Sequence, residues 1–328
     1  MVSPILTEAT VVRHLRNRGL IDPGVPAQVS RLAGGISAAT FRIDTAGGAY
    51  VVKQPLPFLA VSQRWPASQS RAEVEAAAIR RLQGVTPTSL PHLLDYDGEE
   101  HVLVLSAAPV EWKEWRQLLL GGEVDAAVGA SLGRTLALWH VATGPGMADL
   151  DAFQSLQGFE ELRGRPYYEV AAARRVDLGP PILACLADLV NRRTCLVHGD
   201  FSPKNVLVGP GSLWVLDFEV AHIGNPIFDL AFMLHHLVMK GVHVPEVSRA
   251  LRATAHAFTD AYTASGGEGV DESALIRHTG ALLLARVYGQ SVTSYLTPND
   301  AERVAALGSA ALGDDLEALD DLWPFTPA

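Results

Sequence analysis

The chain is poor in cysteine and in positive charge, and it has no long apolar run. Its two cysteines, Cys185 and Cys195, do not form a CxxC pair, and two thiols alone cannot complete a metal site. They read as a pair of buried thiols in a reducing cytoplasm. Lys and Arg number 26 against 36 Asp and Glu, a net charge of −10. That balance argues against a basic face for a phosphate backbone, so nucleic acid is not an expected partner. The best apolar stretch, Ala281 to Ala285, is far short of the roughly 18 residues needed to span a bilayer. The opening MVSPILTEATVVRHLRNRGL lacks an apolar run behind a basic head, so neither a signal peptide nor a membrane association is expected. No GxxxxGK[ST] occurs, which disfavours a P-loop nucleotide site.

What is present suits a packed, water-facing protein. Hydrophobic residues make up 48% and charged residues 19% of 328, enough for a sizeable core and about two domains. Residues 6–18 pattern as a helix. Val29–Leu32, Thr40–Asp44 and Tyr50–Lys53 are short β-rich runs between Gly-containing turns, and QSRAEVEAAAIRRLQG then places Val74, Ala78 and Leu82 on one helical face. His101–Leu105 (HVLVL) reads as a further buried strand. This order predicts an antiparallel sheet carrying one helix.

Beyond it the pattern is helical. Val124, Val128, Leu132, Leu136 and Trp139 recur at three- and four-residue steps, and residues 181–191, 228–240, 246–264, 272–292 and 299–320 also favour helix. One interruption stands out: Val206–Val208 and Trp214–Leu216, joined by Gly209-Pro210-Gly211, form a hairpin among helices. Asp200 and Asn205 precede its first strand and Asp217 follows its second, so closing the hairpin brings the three polar groups together. An amide oxygen and a carboxylate are hard-oxygen donors of the kind that Mg²⁺ takes with substrate phosphates.

The segment LVHGDFSPKNVLVGPGSLWVLDFEVAHIGNPIFDLA, residues 196–231, carries Asp-x4-Asn followed by Asp-Phe. It resembles the catalytic core of protein kinases. In its His198-Gly199-Asp200 form, and in Gly224-Asn225-Pro226 with Asp229-Leu230-Ala231, it is similar to the aminoglycoside phosphotransferase and choline kinase-like superfamily of small-molecule kinases. The resemblance implies an α+β, two-lobed, protein-kinase-like fold: an ATP-binding lobe at 1–106 with a small antiparallel sheet, and a mainly helical catalytic and substrate-binding lobe at 107–328. It implies ATP-dependent transfer of the γ-phosphoryl to a hydroxyl of a small-molecule partner, with Asp200 as catalytic base. Asn205 and Asp217 would hold Mg²⁺, and Asp229 would brace the catalytic loop from a helix start. Where protein kinases have Gly after Asp-Phe, this chain has Glu219, either a further metal carboxylate or a surface glutamate.

The same resemblance makes Lys53, at the end of YVVK, the cation on the ATP phosphates. Its carboxylate partner on the Ala-rich helix would be Glu75, with Glu73 the runner-up. Leu32–Thr40, with Gly35 and Ser37, would be the phosphate-covering loop, where backbone N–H groups approach oxygens closely. Ser106–Val110 would join the lobes. His235 and His236 are adjacent on a helix, about 100° apart, and read as packing or surface residues. His198 reads as a brace for the loop, Arg163 and Arg165 as a solvated pair, and Trp112, Trp115, Tyr167 and Tyr168 as packing. A nucleotide-binding pseudokinase is the alternative, although base, metal ligands and lysine are all in place. A protein kinase is disfavoured by the short Asp217-to-Asp229 connection, which lacks Ala-Pro-Glu.

Overall fold

The computed structural model describes residues 4–32, 37–59 and 65–324, and the chain divides into two compact units, Met1–Glu111 and Trp112–Ala328. The first begins with α1 (Glu8–Asn17), where Thr7 and Thr10 cap each other and Val11 and Leu15 are buried. Strands β1 (Ala27–Arg31), β2 (Ala38–Thr45) and β3 (Gly48–Pro55) follow, then α2 (Arg71–Gln83), β4 (Leu93–Asp97) and β5 (Val102–Ser106). The sheet is antiparallel in the order β1-β2-β3-β5-β4. Val11 and Leu15 join Phe41, Ile43, Val52 and Val104 in one core cluster. Because side chains alternate along a strand, Val52 enters that core while Lys53 projects from the opposite face, where its ammonium meets Glu75 of α2. Strand β4 escapes the sequence reading because it is an edge strand, carries two aspartates, and shifts register between Leu93 and Asp95. Ala107 and Ala108 are tied to this unit by Ala107 N–H to Ala49 O at 3.3 Å and Arg42 Nη1 to Ala108 O at 2.7 Å.

The second unit opens with β6 (Lys113–Glu114), α3 (Trp115–Leu120) and α4 (Ala126–Ala142). A continuous helical stretch follows: α5 (Gln157–Phe159), a wide-turn π segment at Glu160–Glu169, and α6 (Val170–Arg174). After α7 (Gly179–Asn191) come β7 (Cys195–Val197), β8 (Val206–Gly209), β9 (Ser212–Val215) and β10 (His222–Gly224). Helices α8 (Ile227–His243), α9 (Ser248–Ala264), α10 (Glu272–Tyr288) and α11 (Pro298–Leu312) complete it. The hairpin turn is two residues, not three: Gly209 pairs with Ser212, and Gly211 adopts φ +66. Helices α10 and α11 are shorter than their apolar patterns suggest, since Gly289 and Gly313 end them. Among the described residues no helix is long and apolar enough to cross a membrane.

Helices α4 and α9 approach closely because α4 presents glycine at the contact. A Cβ on Gly133 would lie 2.1 Å from Phe258 O and 3.0 Å from Tyr262 N. Backbone cannot yield as a flexible side chain can, so we expect Gly133→Ala to force the helices apart. The expected cost is about 1–3 kcal/mol of stability, read as a lower midpoint in denaturant unfolding.

Candidate active site

Among the described residues each unit buries a cluster of polar groups from the sequence motifs. In the first, Lys53 Nζ donates to Glu75 Oε2 at 2.7 Å. Glu75 is 1% exposed and Lys53 8%, whereas Glu73 faces solvent. A buried ion pair gives up hydration that its attraction barely restores, so packing alone does not account for it. Of the two phosphate-loop residues, Gly35 lies outside the described residues. Ser37 offers its carbonyl to Leu56 N–H at 2.8 Å and to the Arg71 guanidinium, which also donates to Leu56 O at 2.9 Å.

In the second unit the loop after β7 is built around Asp229. This carboxylate, 0% exposed, sits in the first turn of α8, where negative charge suits the helix dipole. Its two oxygens accept the backbone N–H of His198 at 2.6 Å and of Gly199 at 2.9 Å. His140 Nε2 reaches the same carboxylate at 3.4 Å, and His140 Nδ1 meets the Tyr262 hydroxyl at 3.0 Å. Gly199 has φ +77, and a Cβ there would strike Val220 O at 2.6 Å. The His198 ring spans the loop, with Nε2–H donating to Leu216 O and Nδ1 accepting from Asp200 N–H, both at 3.1 Å. Phe201 and Phe218 anchor the loop from behind: both are 0% exposed and meet Trp139 edge to face at 6.3 and 5.5 Å.

The geometry brings Asp200, Asn205 and Asp217 to one end of the hairpin. Asn205 Nδ2 donates to Asp200 Oδ2 at 2.9 Å and to Asp200 O at 3.0 Å, and Asn205 O accepts Leu216 N–H at 2.8 Å. The Asn205 amide hydrogens are thus committed to Asp200, which leaves its amide oxygen to offer a cation. Asp217 follows Leu216 directly with φ +71, an uncommon conformation for a residue with a side chain. Glu219 is 6% exposed, so it is not a surface glutamate. An amide oxygen and carboxylates such as those of Asp217 and Glu219 are hard-oxygen donors of the kind that Mg²⁺ takes beside water and phosphate. Elsewhere among the described residues, His14, Asp97 and Glu100 place donor atoms within 4.8 Å of one another, but the Arg18 guanidinium already lies 3.8 Å from Asp97.

Two cations on Asp200 escape the sequence reading. Arg163 is buried, not solvated: Nη2 pairs with Asp200 Oδ1 at 3.0 Å and Nε donates to Gly199 O at 2.9 Å. Only Arg165 of that pair is exposed. Pro166 is the local cause, because it has no N–H for the Leu162 carbonyl four residues back. The helix widens there, and Leu162 O accepts from Arg163 Nη1 at 2.7 Å. Lys204 Nζ adds a second pair, to Asp200 Oδ2 at 2.8 Å. Burial pushes the Asp200 pKa up, but Arg163 and then Lys204 outweigh it and hold the carboxyl well below the usual range. Asp200 is therefore ionised throughout the neutral range. His235 and His236 are packing residues, buried in the interior with their ring centres 4.2 Å apart.

The chain belongs to the phosphotransferase enzyme family, whose model matches residues 28–267. Methylthioribose kinase of Bacillus cereus (strain ATCC 10987 / NRS 248) is 24% identical over 301 residues, covering 81% of this chain and 76% of the relative. Methylthioribose kinase 1 of Oryza sativa subsp. japonica is 24% identical over 276 residues, covering 71% and 62%. Among solved structures, an amicoumacin kinase bound to AMP-PNP, Ca²⁺ and its ligand superposes with a TM-score of 0.59 at 15% identity, over 98% of this chain and 96% of that one. A choline/ethanolamine kinase family protein from Mesorhizobium loti gives 0.57 at 15%, over 96% and 98%. The fold is α+β and protein-kinase-like, and the protein is an ATP-dependent small-molecule phosphotransferase.

Two outcomes follow from the buried groups. Asp229→Ala strands two buried N–H donors, at about 1–3 kcal/mol each, so the urea midpoint falls markedly. Burial lowers the pKa of His198, His235, His236 and His278, and brings His222 down to about 4. Below the ordinary value of 6.5 the unfolded chain takes up protons that the folded chain refuses. Stability therefore falls as pH drops from about 6.5 toward 4, by up to roughly 1.4 kcal/mol per pH unit for each such group. Denaturant titrations at pH 7, 5.5 and 4.5 measure the slope, and a flat profile would contradict these buried neutral rings.

Proposed function

We propose that this enzyme moves the γ-phosphoryl group of ATP onto a hydroxyl of a small molecule, with Asp200 as the catalytic base. The observation that carries this reading is the Asp200 carboxylate, held ionised by Arg163 and Lys204 beside the amide of Asn205. In the reaction the acceptor oxygen forms a bond to the γ-phosphorus while the bond to the β,γ-bridging oxygen breaks. The acceptor proton passes to an Asp200 carboxylate oxygen late in a largely dissociative transfer, and then to water. An ionised base with a low pKa is suited to orienting the hydroxyl and accepting its proton only once the O–P bond has formed. Asp200 thus contributes position more than basicity.

Asn205, Asp217 and Glu219 are the residues that would hold Mg²⁺. When bound, that ion neutralises charge on the nucleotide phosphates. Lys53 is the residue that would supply a fixed positive charge to nucleotide phosphates, with Glu75 holding its ammonium in place. Ser37 is the described residue assigned to the backbone loop over the nucleotide phosphates. Residues 1–106 serve as the ATP-binding lobe and residues 107–328 as the catalytic and substrate lobe. The cytoplasm suits two buried cysteine thiols whose pKa values burial drives well up, because such thiols are inert and need no disulfide partner.

Asp200→Asn keeps the shape and removes the proton acceptor. We expect it to lower acceptor-stimulated ADP release by about 10²–10⁴-fold while nucleotide affinity stays within a few-fold. Asp217→Asn is expected to remove the Mg²⁺ dependence of nucleotide binding, followed by calorimetry with and without the metal. Full turnover by Asp200→Asn would refute the assignment of the base.

A further inference from the structure

Two cations of the helical unit stand apart from its carboxylates. Arg163 is matched by Asp200, and Arg116 by Glu114, whose Oε1 accepts Arg116 Nε at 2.6 Å. Arg286 and Lys240 have no carboxylate partner among the described residues. Arg286, half-buried on α10, donates only to neutral oxygens: Thr293 Oγ1 at 2.9 Å, the Tyr167 hydroxyl at 2.8 Å and Ser291 Oγ at 2.9 Å. Lys240, fully buried on α8, reaches the His236 carbonyl at 3.3 Å and lies 5.5 Å from the centre of the Tyr295 ring. Glu114 is the acidic group whose field opposes that of Arg116 and Arg286 at Lys240.

These cations sit on the catalytic side of the unit. Arg163 and Arg286 both contact the Tyr167 ring, their guanidinium carbons 5.4 and 5.6 Å from its centre, so a single aromatic ring separates Arg286 from the partner of Asp200. Around them are buried polar atoms with no hydrogen-bond partner: His235 Nε2, His236 Nδ1 and the Tyr295 hydroxyl. His235 is 0% and His236 8% exposed. A buried and a half-buried cation without a counter-anion, and buried ring nitrogens and a hydroxyl without a partner, are all costly, and one ligand chemistry relieves them together. Neighbouring positive charge is felt here: burial, then Arg116 and Arg286, push Lys240 down to about 7. Burial opposes ionisation of Tyr167, yet Arg286 and Arg163 lower its pKa.

We propose that the phosphoryl acceptor is an alcohol bearing an oxyanion, a carboxylate or a phosphate, which binds at Arg286 and His236 with Lys240 and His235 behind them, while its hydroxyl faces Asp200. The inference rests on the phosphotransferase reading and names its acceptor class. Arg286 suits the role because its planar fork matches oxyanion geometry. A polycationic acceptor would meet like charge in the same place.

The test uses small anions on the intact protein, with and without saturating Mg²⁺–ADP to block the nucleotide site. Acetate, malonate and inorganic phosphate are titrated against sodium chloride of matched ionic strength, and thermal unfolding is followed. At least one is expected to raise the midpoint saturably by roughly 3–8 °C. The rise should disappear in Arg286→Gln, persist in part in Arg286→Lys, and shrink in Lys240→Met, whose apolar side chain suits its buried position. Glycerate and glycerol 3-phosphate then distinguish carboxylate from phosphate, with glycerol and 1-amino-2,3-propanediol as neutral and cationic counterparts. No rise beyond chloride, a rise that Arg286→Gln leaves intact, or tighter binding of the amino alcohol would each overturn the proposal. Nucleotide affinity, measured separately, tests the phosphotransferase reading. Its loss would remove that reading and leave the anion result to be judged alone.

Discussion

A single buried carboxylate sets the geometry of the catalytic loop. Asp229 accepts the backbone N–H groups of His198 and Gly199 with its two oxygens, and this fixes the chain direction just before Asp200. Burying an ionised carboxyl costs several kcal/mol after relaxation, and the cost is met at this one place by two amides, the His140 imidazole and the start of a helix. His140 is itself bonded to Tyr262 of α9. The loop is therefore referred to the α4–α9 pair, whose close approach depends on glycine at position 133. Helix packing far from the chemistry thus decides where the base stands.

Around that frame the sequence alternates between residues that sink and residues that are presented. Phe201 follows Asp200 into the core, and Phe218 does the same after Asp217. Each carboxylate is thus next to an aromatic anchor, which limits its freedom without using up its oxygens. Charge is arranged with the same economy. Arg163 and Lys204 keep Asp200 ionised, and Asn205 turns its amide hydrogens to Asp200 so that its oxygen is left to offer a cation. Pro166 makes the Arg163 contact possible by widening the helix that carries it.

Much of this was legible in the sequence because the chemistry is packed into one contiguous segment, residues 196–231. The hairpin and the acceptors flanking it could be read from local spacing, and the bracing role of Asp229 came from the family resemblance. Lys53, at the end of an apolar strand, and its partner Glu75 were legible through the same resemblance. Arg163 was not legible: it meets Asp200 from 37 positions away in the chain, through a wide helical turn that 3.6-residue periodicity does not describe. Lys204 was overlooked although it sits within the motif itself. His235 and His236 were legible as packing residues, and their 100° separation on the helix constrains Cβ directions without keeping the rings apart. Strand β4 was lost to its charged residues and edge position, and the ends of α10 and α11 to apolar patterns that outlast the helices.

The central claim, that Asp229 locks the loop presenting Asp200, is most directly tested by native-state amide hydrogen exchange at His198 and Gly199. Both amide protons are buried on a carboxylate, so they should exchange only through large unfolding events, as slowly as amides in the middle of α8. Exchange at rates typical of exposed surface loops would mean that the loop opens locally, and the account of a base fixed from Asp229 would fail.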